Sequence, residues 1–177
     1  LQASTLPKLG ARKTTVEQLE PEVAREFFNK YHVQGAPPVG KFYGMLHQGE
    51  LVAAMAWTRS KAGDTLQRYA TSCVVAGGFT KLLLASRTQA PVITFADKSW
   101  VSGAMYESTG FKVVKELAPD YQYLVGDRRV HKFMYRLSRF KTDPDLVYEE
   151  GLSETELARL NGLTRTWDCG KTKFMLA

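Results

Sequence analysis

From Val74 to Leu84 the chain reads Val74-Val75-Ala76-Gly77-Gly78-Phe79-Thr80-Lys81-Leu82-Leu83-Leu84, a strand-like stretch that passes through two glycines into a helix-like one. Valine suits a pleated surface, glycine turns the backbone without steric cost, and the apolar residues that follow resume at helical spacing. A strand that feeds a helix through so short a turn needs a layered α/β arrangement to bury both elements. Two readings of the glycines stand side by side. They make a tight strand-to-helix turn, or they leave backbone N–H groups at the helix start free to hold an anion.

The flanking segments fit the same class. Pro21 opens a helix expected over Glu22–Tyr31, whose stripe is Val23, Phe27 and Tyr31, and Gly35-Ala36-Pro37-Pro38 ends it. Lys41–His47 and Leu51–Trp57 read as a hairpin around Gln48-Gly49-Glu50. Lys61–Thr65 is expected as an exposed connection and Leu66–Val75 as the returning strand. Further strands are expected at Pro91–Ala96, Phe111–Leu117 and Tyr121–Val125, with a short helix at Val101–Ser108 ended by Gly110. Ser153 and Glu156 have capping-box spacing before Leu157, flanked by Leu152, and two short strands follow at Thr164–Trp167 and Thr172–Leu176. The pattern predicts a mixed α/β sheet over residues 1–145 and a small C-terminal cap, 146–177, packed on the same domain.

A chain of 177 residues with 44% hydrophobic content is long enough to bury a core without disulfides or a structural metal. Its two cysteines, Cys73 and Cys169, read as free thiols of a reducing compartment, and His32, His47 and His131 are too scattered for a metal centre. No apolar span reaches 18 residues, so neither membrane crossing nor secretion is expected. The net charge of +6 favours an anionic partner: nucleic acid, a phosphate-bearing cofactor or an acidic surface. Arg128, Arg129, His131, Lys132, Arg136, Arg139 and Lys141 interleave with Phe133, Tyr135, Leu137 and Phe140, a pattern shared by nucleic-acid contacts and solvated strand edges.

The segments Glu50–Trp57, Leu66–Val75, Gly77–Ser86 and Pro91–Ala96 resemble the part of the GCN5-related N-acyltransferase (GNAT) fold where an acyl-CoA pyrophosphate meets a helix start. Where that family carries a basic residue or glutamine before spaced glycines, this chain has Cys73-Val74-Val75-Ala76-Gly77-Gly78. Tyr106-Glu107-Ser108-Thr109-Gly110-Phe111 resembles the family's aromatic-to-Gly-Phe segment. Arg68-Tyr69, Ala96-Asp97-Lys98-Ser99-Trp100, Gly103-Ala104-Met105-Tyr106, Pro119-Asp120-Tyr121-Gln122-Tyr123 and Trp167-Asp168-Cys169-Gly170 are similar to acyltransferase-like proteins of tailed bacteriophages, including the Mom-like group that modifies adenine in phage DNA.

The resemblance implies a mostly antiparallel GNAT-like sheet flanked by helices, acetyl-CoA or another acyl-CoA as donor, DNA as partner and the host cytoplasm as location. Donor phosphate would fall to Gly77, Gly78, Thr80 and Lys81, and transfer to Asp97, Ser99 and Tyr106. Arg68, Tyr121, Tyr123, Arg129, Lys132 and Arg136 would meet the substrate. On its own residues, Asp97 reads either as a carboxylate that orients or deprotonates an amine or as a helix cap, and Arg68 as a phosphate or carboxylate ligand or an edge salt bridge. Three functions are therefore expected in competition: acylation of adenine amines in DNA, a DNA-binding accessory domain of a phage nuclease or packaging system, and acylation of a protein or small amine.

Overall fold

The computed structural model describes residues 7–61, 63–88 and 91–177. In chain order the elements are β1 (Lys8–Gly10), β2 (Thr15–Gln18), α1 (Pro21–Tyr31), β3 (Lys41–His47), β4 (Glu50–Ser60), β5 (Gly63–Thr71), β6 (Val74–Ala76), α2 (Gly78–Ser86), β7 (Val92–Asp97), α3 (Ala104–Ser108) and β8 (Lys112–Leu117). They continue with β9 (Tyr121–Val125), β10 (Arg128–His131), α4 (Leu137–Thr142), α5 (Glu154–Leu160), β11 (Thr164–Trp167) and β12 (Lys171–Leu176). Two compact units result: one of residues 1–96, 103–115 and 172–177, the other of 97–102 and 116–171.

The first unit is built on a seven-stranded sheet in the order β2-β3-β4-β5-β7-β12-β8. β2 to β5 pair antiparallel with one another, and β5 pairs parallel with β7. This is the mixed, mostly antiparallel sheet flanked by helices that the sequence leads one to expect.

β4 carries the sheet's centre because its side chains are buried on both faces. Ala53, Met55 and Trp57 enter the cluster formed with Phe79, Leu82 and Leu83 of α2, while Ala54 and Ala56 enter the one formed with Ala24, Phe27 and Phe28 of α1. Small alanines on the α1 side leave room for two phenylalanines, so volume is shared across the strand. The α1 stripe is therefore Ala24, Phe27 and Phe28, and the expected Val23 and Tyr31 are exposed. Packing follows an i, i+3, i+4 face rather than a strict four-residue ladder, which drifts around the helix.

Three other expectations shift. The returning strand starts earlier: Gly63 and Asp64 are buried in β5, with the Asp64 carboxylate accepting from the Thr88 amide at 2.8 Å and hydroxyl at 3.0 Å. A satisfied carboxylate can enter the interior where an exposed turn was expected; Ala62 lies outside the described residues. β5 also stops at Thr71, and after Ser72-Cys73 the chain restarts as β6, which pairs in parallel with β1. Finally, α3 begins at Ala104, because Gly103 sits at φ +86° and a side chain there would strike the Phe174 ring.

The second unit has a three-stranded sheet, β10-β9-β11, over a core of Tyr123, Tyr135, Phe140, Leu157 and Ala158. The basic run 128–141 and the capped helix both lie in this unit. Ser153 Oγ accepts from the Glu156 amide and the Glu156 carboxylate accepts from the Ser153 amide, the expected capping box. Apart from residues 97–102, the unit is an excursion of the chain between β8 and β12, which are neighbours in the large sheet.

In the first unit the buried Trp57 indole donates to Ser86 Oγ at 2.8 Å, and Ser86 Oγ donates to Leu82 O at 2.6 Å. Ser86→Ala strands the indole N–H, and urea unfolding is expected to show a loss of about 1–3 kcal/mol. Ser153→Ala, which removes an exposed cap, is expected to cost about 1 kcal/mol by the same measurement, read from a probe in the second unit such as Trp167 fluorescence.

Candidate active site

β5 and β7 pair over only three residues, Asp64 with Val92, Thr65 with Ile93 and Leu66 with Thr94. Beyond that point the two strands run on without pairing. The cause is visible in β5. Trp57 of β4 pairs with Leu66, but the next residue back, Ala56, pairs with Arg68, which leaves Gln67 as an extra residue, a β-bulge. A bulge bends its strand and sharpens the twist, which carries the rest of β5 away from its parallel neighbour.

The bulge also exchanges the faces of β5. Leu66 packs in the α2-side cluster, yet two residues beyond Arg68 it is Ala70 that packs in the α1-side cluster, while Tyr69 packs against the α2 side. Arg68 thereby comes to the α1 face.

At the parting point several polar groups converge. Thr94 Oγ1 donates to Leu66 O at 3.1 Å, and the Thr94 hydroxyl is also a hydrogen-bond partner of the Tyr106 phenol. Tyr106 is held by rings on three sides: Phe79 at 5.7 Å, Phe111 at 5.6 Å and Phe174 at 5.3 Å between centroids. Burial raises its pKa, against the opposing pull of the Thr94 bond and the Arg68 charge, so the phenol stays protonated at neutral pH.

Arg68 is half-buried, and burial lowers its pKa while the nearby Tyr106 phenol works in the other direction. Its Nη1 donates to Gln67 O at 2.8 Å. His32, which caps α1, has its pKa lowered to about 4 by burial and by the Arg68 charge. Its Nδ1 accepts from the Gln34 amide at 3.1 Å. His32 is a site residue that sequence reasoning passed over; a histidine at the C-terminal end of a helix opposite an arginine-bearing strand was the available signal.

The first turn of α2 supplies the other half. Gly77 caps it at φ +74°, and the helix's first internal bond runs from the Lys81 amide to Gly77 O, so the Gly78, Phe79 and Thr80 amides have no partner within the helix. A Cβ on Gly78 would meet Val75 Cβ at 2.9 Å and the Tyr69 hydroxyl at 3.0 Å, so this cradle admits glycine alone. Phe79 joins the two halves, packing edge-on to Tyr69 at 5.2 Å and to Tyr106 at 5.7 Å. Thr80 is exposed. Lys81 turns away from the helix start: its ammonium donates to Ala11 O at 2.8 Å and to Thr14 O, tying the segment after β1 to α2.

The structure thus brings together Arg68, Gly77, Gly78 and Tyr106 from the residues singled out in the sequence, and adds Thr94 and His32. Thr80 and Lys81 lie on α2 in the same unit, one exposed and the other turned away, and the remaining ones lie in the second unit. Asp97 Oδ1 accepts from the Ser99 amide at 3.0 Å, and Ser99 Oγ accepts from the Cys169 amide at 3.3 Å. Tyr123 is buried in the core, and Tyr121 packs on it at 5.5 Å. The Arg165 guanidinium lies over the Tyr121 ring at 4.2 Å, Lys132 pairs with Asp120 at 2.5 Å, and Arg136 stacks on Phe133 at 3.8 Å. Arg128 and Arg129 are exposed on β10. Much of the aromatic-basic pattern is therefore internal cation–π packing, and the unit holds ten Lys and Arg against eleven Asp and Glu. The positive excess of the chain sits in the first unit.

The described residues hold no cluster of three metal-ligating side chains, and no described helix is long and apolar enough to cross a membrane. Cys73 and Cys169 are free.

No family profile matches the sequence, and no curated protein matches it. Solved structures do match. The ribosomal-protein-S18-alanine N-acetyltransferase from Escherichia coli superposes with a TM-score of 0.51 at 18% identity, over 66% of this chain and 87% of that one. The fold is the GNAT fold. An acetyltransferase from Bacillus subtilis in complex with CoA aligns over 93% of this chain and 98% of its own, with 11% identity and a TM-score of 0.49. An IAA acetyltransferase from Bacillus cereus ATCC 14579 aligns over 92% and 98%, with 15% identity and a TM-score of 0.48.

The lowered His32 pKa fixes the sign of a pH dependence. Between the ordinary value of 6.5 and about 4, the unfolded chain binds a proton that the folded chain does not, so this contribution is complete above pH 6.5 and declines as pH falls toward 4. His32→Asn, whose side-chain oxygen can still accept the Gln34 amide, is expected to flatten that part of the curve when urea midpoints are compared from pH 7 to pH 4.

Proposed function

We propose that the protein is an acyl-CoA-dependent N-acyltransferase, with acetyl-CoA as the simplest donor. The observation that carries this reading is the meeting of a protonated tyrosine, Tyr106, with an amide-rich helix start, through Phe79, where β5 and β7 part. The residues fit such a donor. Glycine at 78 lets the chain pack against Val75 and Tyr69 as it turns into the helix, and the amides of Gly78, Phe79 and Thr80, which have no partner within the helix, suit a pyrophosphate together with the positive end of the α2 dipole. The parted strands leave backbone groups beyond Leu66 and Thr94 available to an extended pantetheine arm.

The donor would supply an acyl thioester, whose C–S bond breaks as a C–N bond forms to an acceptor amine. Tyr106 is placed to give its proton to the departing sulfur, and burial suits it to the task by keeping the phenol protonated until sulfur carries charge. The Thr94 hydroxyl orients the phenol, and the ring cluster of Phe79, Phe111 and Phe174 fixes its position. His32, neutral at physiological pH with its Nδ1 lone pair engaged by the Gln34 amide, adds no positive charge to the α1 side, and the amine's proton passes to water.

For the acceptor, the amine of a small molecule or protein is favoured, because the second unit carries no positive excess and sets several of its cations against its own aromatic rings. An adenine amine in DNA is the second reading, supported by the exposed Arg128-Arg129 pair on β10.

Calorimetric titration with CoA and thiol release from acetyl-CoA in the presence of an amine panel or duplex DNA test the proposal together. Wild-type protein is expected to bind CoA and to release thiol. Tyr106→Phe is expected to keep CoA binding and to lose about 10²–10⁴-fold in kcat. Absence of CoA binding by folded protein would overturn the reading. DNA binding with no turnover on any acceptor would favour an accessory domain.

A further inference from the structure

The Gln67 bulge leaves two buried polar atoms without partners on adjacent residues, Gln67 Oε1 and Arg68 Nε. One is an acceptor and the other belongs to a cation. Arg68 is half-buried, and among the described residues no carboxylate lies within ion-pair distance of it; the hydrogen bond its guanidinium makes is to the carbonyl of its own neighbour, Gln67. Guanidinium groups withdrawn from water are ordinarily paired, and their fork of donors matches a carboxylate in two parallel bonds.

The surroundings define what such an anion would be attached to. Arg68 lies on the α1 face of β5, close enough to Tyr106 and His32 for its charge to act on both. Gly40, at the end of the segment linking α1 to β3, closes on the bulge: a Cβ there would stand 3.0 Å from Trp57 O and 3.6 Å from Gln67 Oε1. An anion held at Arg68 is therefore within the reach of one small molecule from the group that would protonate the sulfur. Gln67 Oε1 is left to accept an N–H from the same molecule.

We propose that the acceptor is a small amine that carries a carboxylate, an amino-acid-like molecule bound on the α1 face of β5 with its carboxylate on Arg68 and its nitrogen directed past Gln67 to the parting of β5 and β7. This rests on the acyltransferase reading. The nitrogen must reach the thioester as a free amine, its proton passing to water. The covalent balance is simple: the amine nitrogen gains the acyl group and loses a proton, and the sulfur gains a proton.

The test compares matched acceptors on one enzyme preparation, the common α-amino acids, β-alanine and γ-aminobutyrate, each against its carboxamide, with thiol release from acetyl-CoA as the readout. Wild type is expected to prefer at least one acid over its amide by tenfold or more in kcat/KM, and Arg68→Gln to bring that ratio to about one while CoA still binds. The ratio is taken within one preparation, so a partly folded variant does not distort it. Calorimetric binding of the N-acetylated acids, which needs no turnover, is expected for wild type and not for Arg68→Gln. Equal turnover of acids and amides, or an acid preference that survives Arg68→Gln, would overturn the inference while leaving the transferase standing. Arg68-dependent binding of the acids by a protein that ignores CoA would keep the carboxylate site and reject the transferase. Loss of both would reject both.

Discussion

One extra residue in one strand organises the first unit. β4 and β5 are long antiparallel partners with a continuous ladder, and Gln67 breaks their register by a single position. Without it, β5 would continue beside β7 and close the sheet. With it, pairing ends at Leu66 and Thr94, and Arg68 passes to the opposite face from Leu66. Chain polarity then assigns the two faces different work. The α2 side receives Tyr69, Phe79 and Tyr106 and the glycine-capped helix start, whereas the α1 side receives Arg68 and His32. In the proposed reaction, donor and acceptor would approach the same opening from opposite faces because the strand between them has been offset.

The sheet tolerates that opening because its rigidity is supplied elsewhere. Trp57, Met55 and Met45 are fully buried, and the Trp57 indole is tied through Ser86 into α2. The ring cluster around Tyr106 fixes its phenol by packing the ring, as the Ser86 hydrogen bond fixes the indole. Lys81 contributes from the other end of the first turn, fastening α2 to the carbonyls of Ala11 and Thr14, so the helix whose start is left open is anchored by its own lysine.

Much of this architecture was legible in the sequence, and the gaps have a common cause. The hairpin at Gln48-Gly49, the helix after Gly77-Gly78, β9 and the capping box at Ser153 depend on local turn chemistry and periodicity, which a chain displays directly. Gly77 and Gly78 could be singled out for the same reason, whereas Arg68 and Tyr106 were singled out through the resemblance of their segments to acyltransferases. The Gln67 bulge, the restart of β6 beside β1 and the burial of Asp64 depend on pairing with residues far away in the chain, and nothing in their immediate neighbours records that. Thr94 and His32 were missed because their significance lies only in what the bend of β5 brings near them. The run from Arg128 to Lys141 shows the converse: its composition is that of a phosphate-binding strip, but Tyr123, Tyr135 and Phe140 are interior, and Arg139 and Arg165 lie over rings of the same unit.

The placement of β12 bears on how the molecule assembles. β12 sits between β7 and β8 in the sheet, yet most of the second unit separates it from β8 along the chain. Closing so long a loop is entropically expensive while that segment is unfolded, and cheaper once it has collapsed on its own local contacts. The pairing that places β12 between β7 and β8 is therefore the least local in the sheet and the one whose cost depends most on how compact the intervening chain already is.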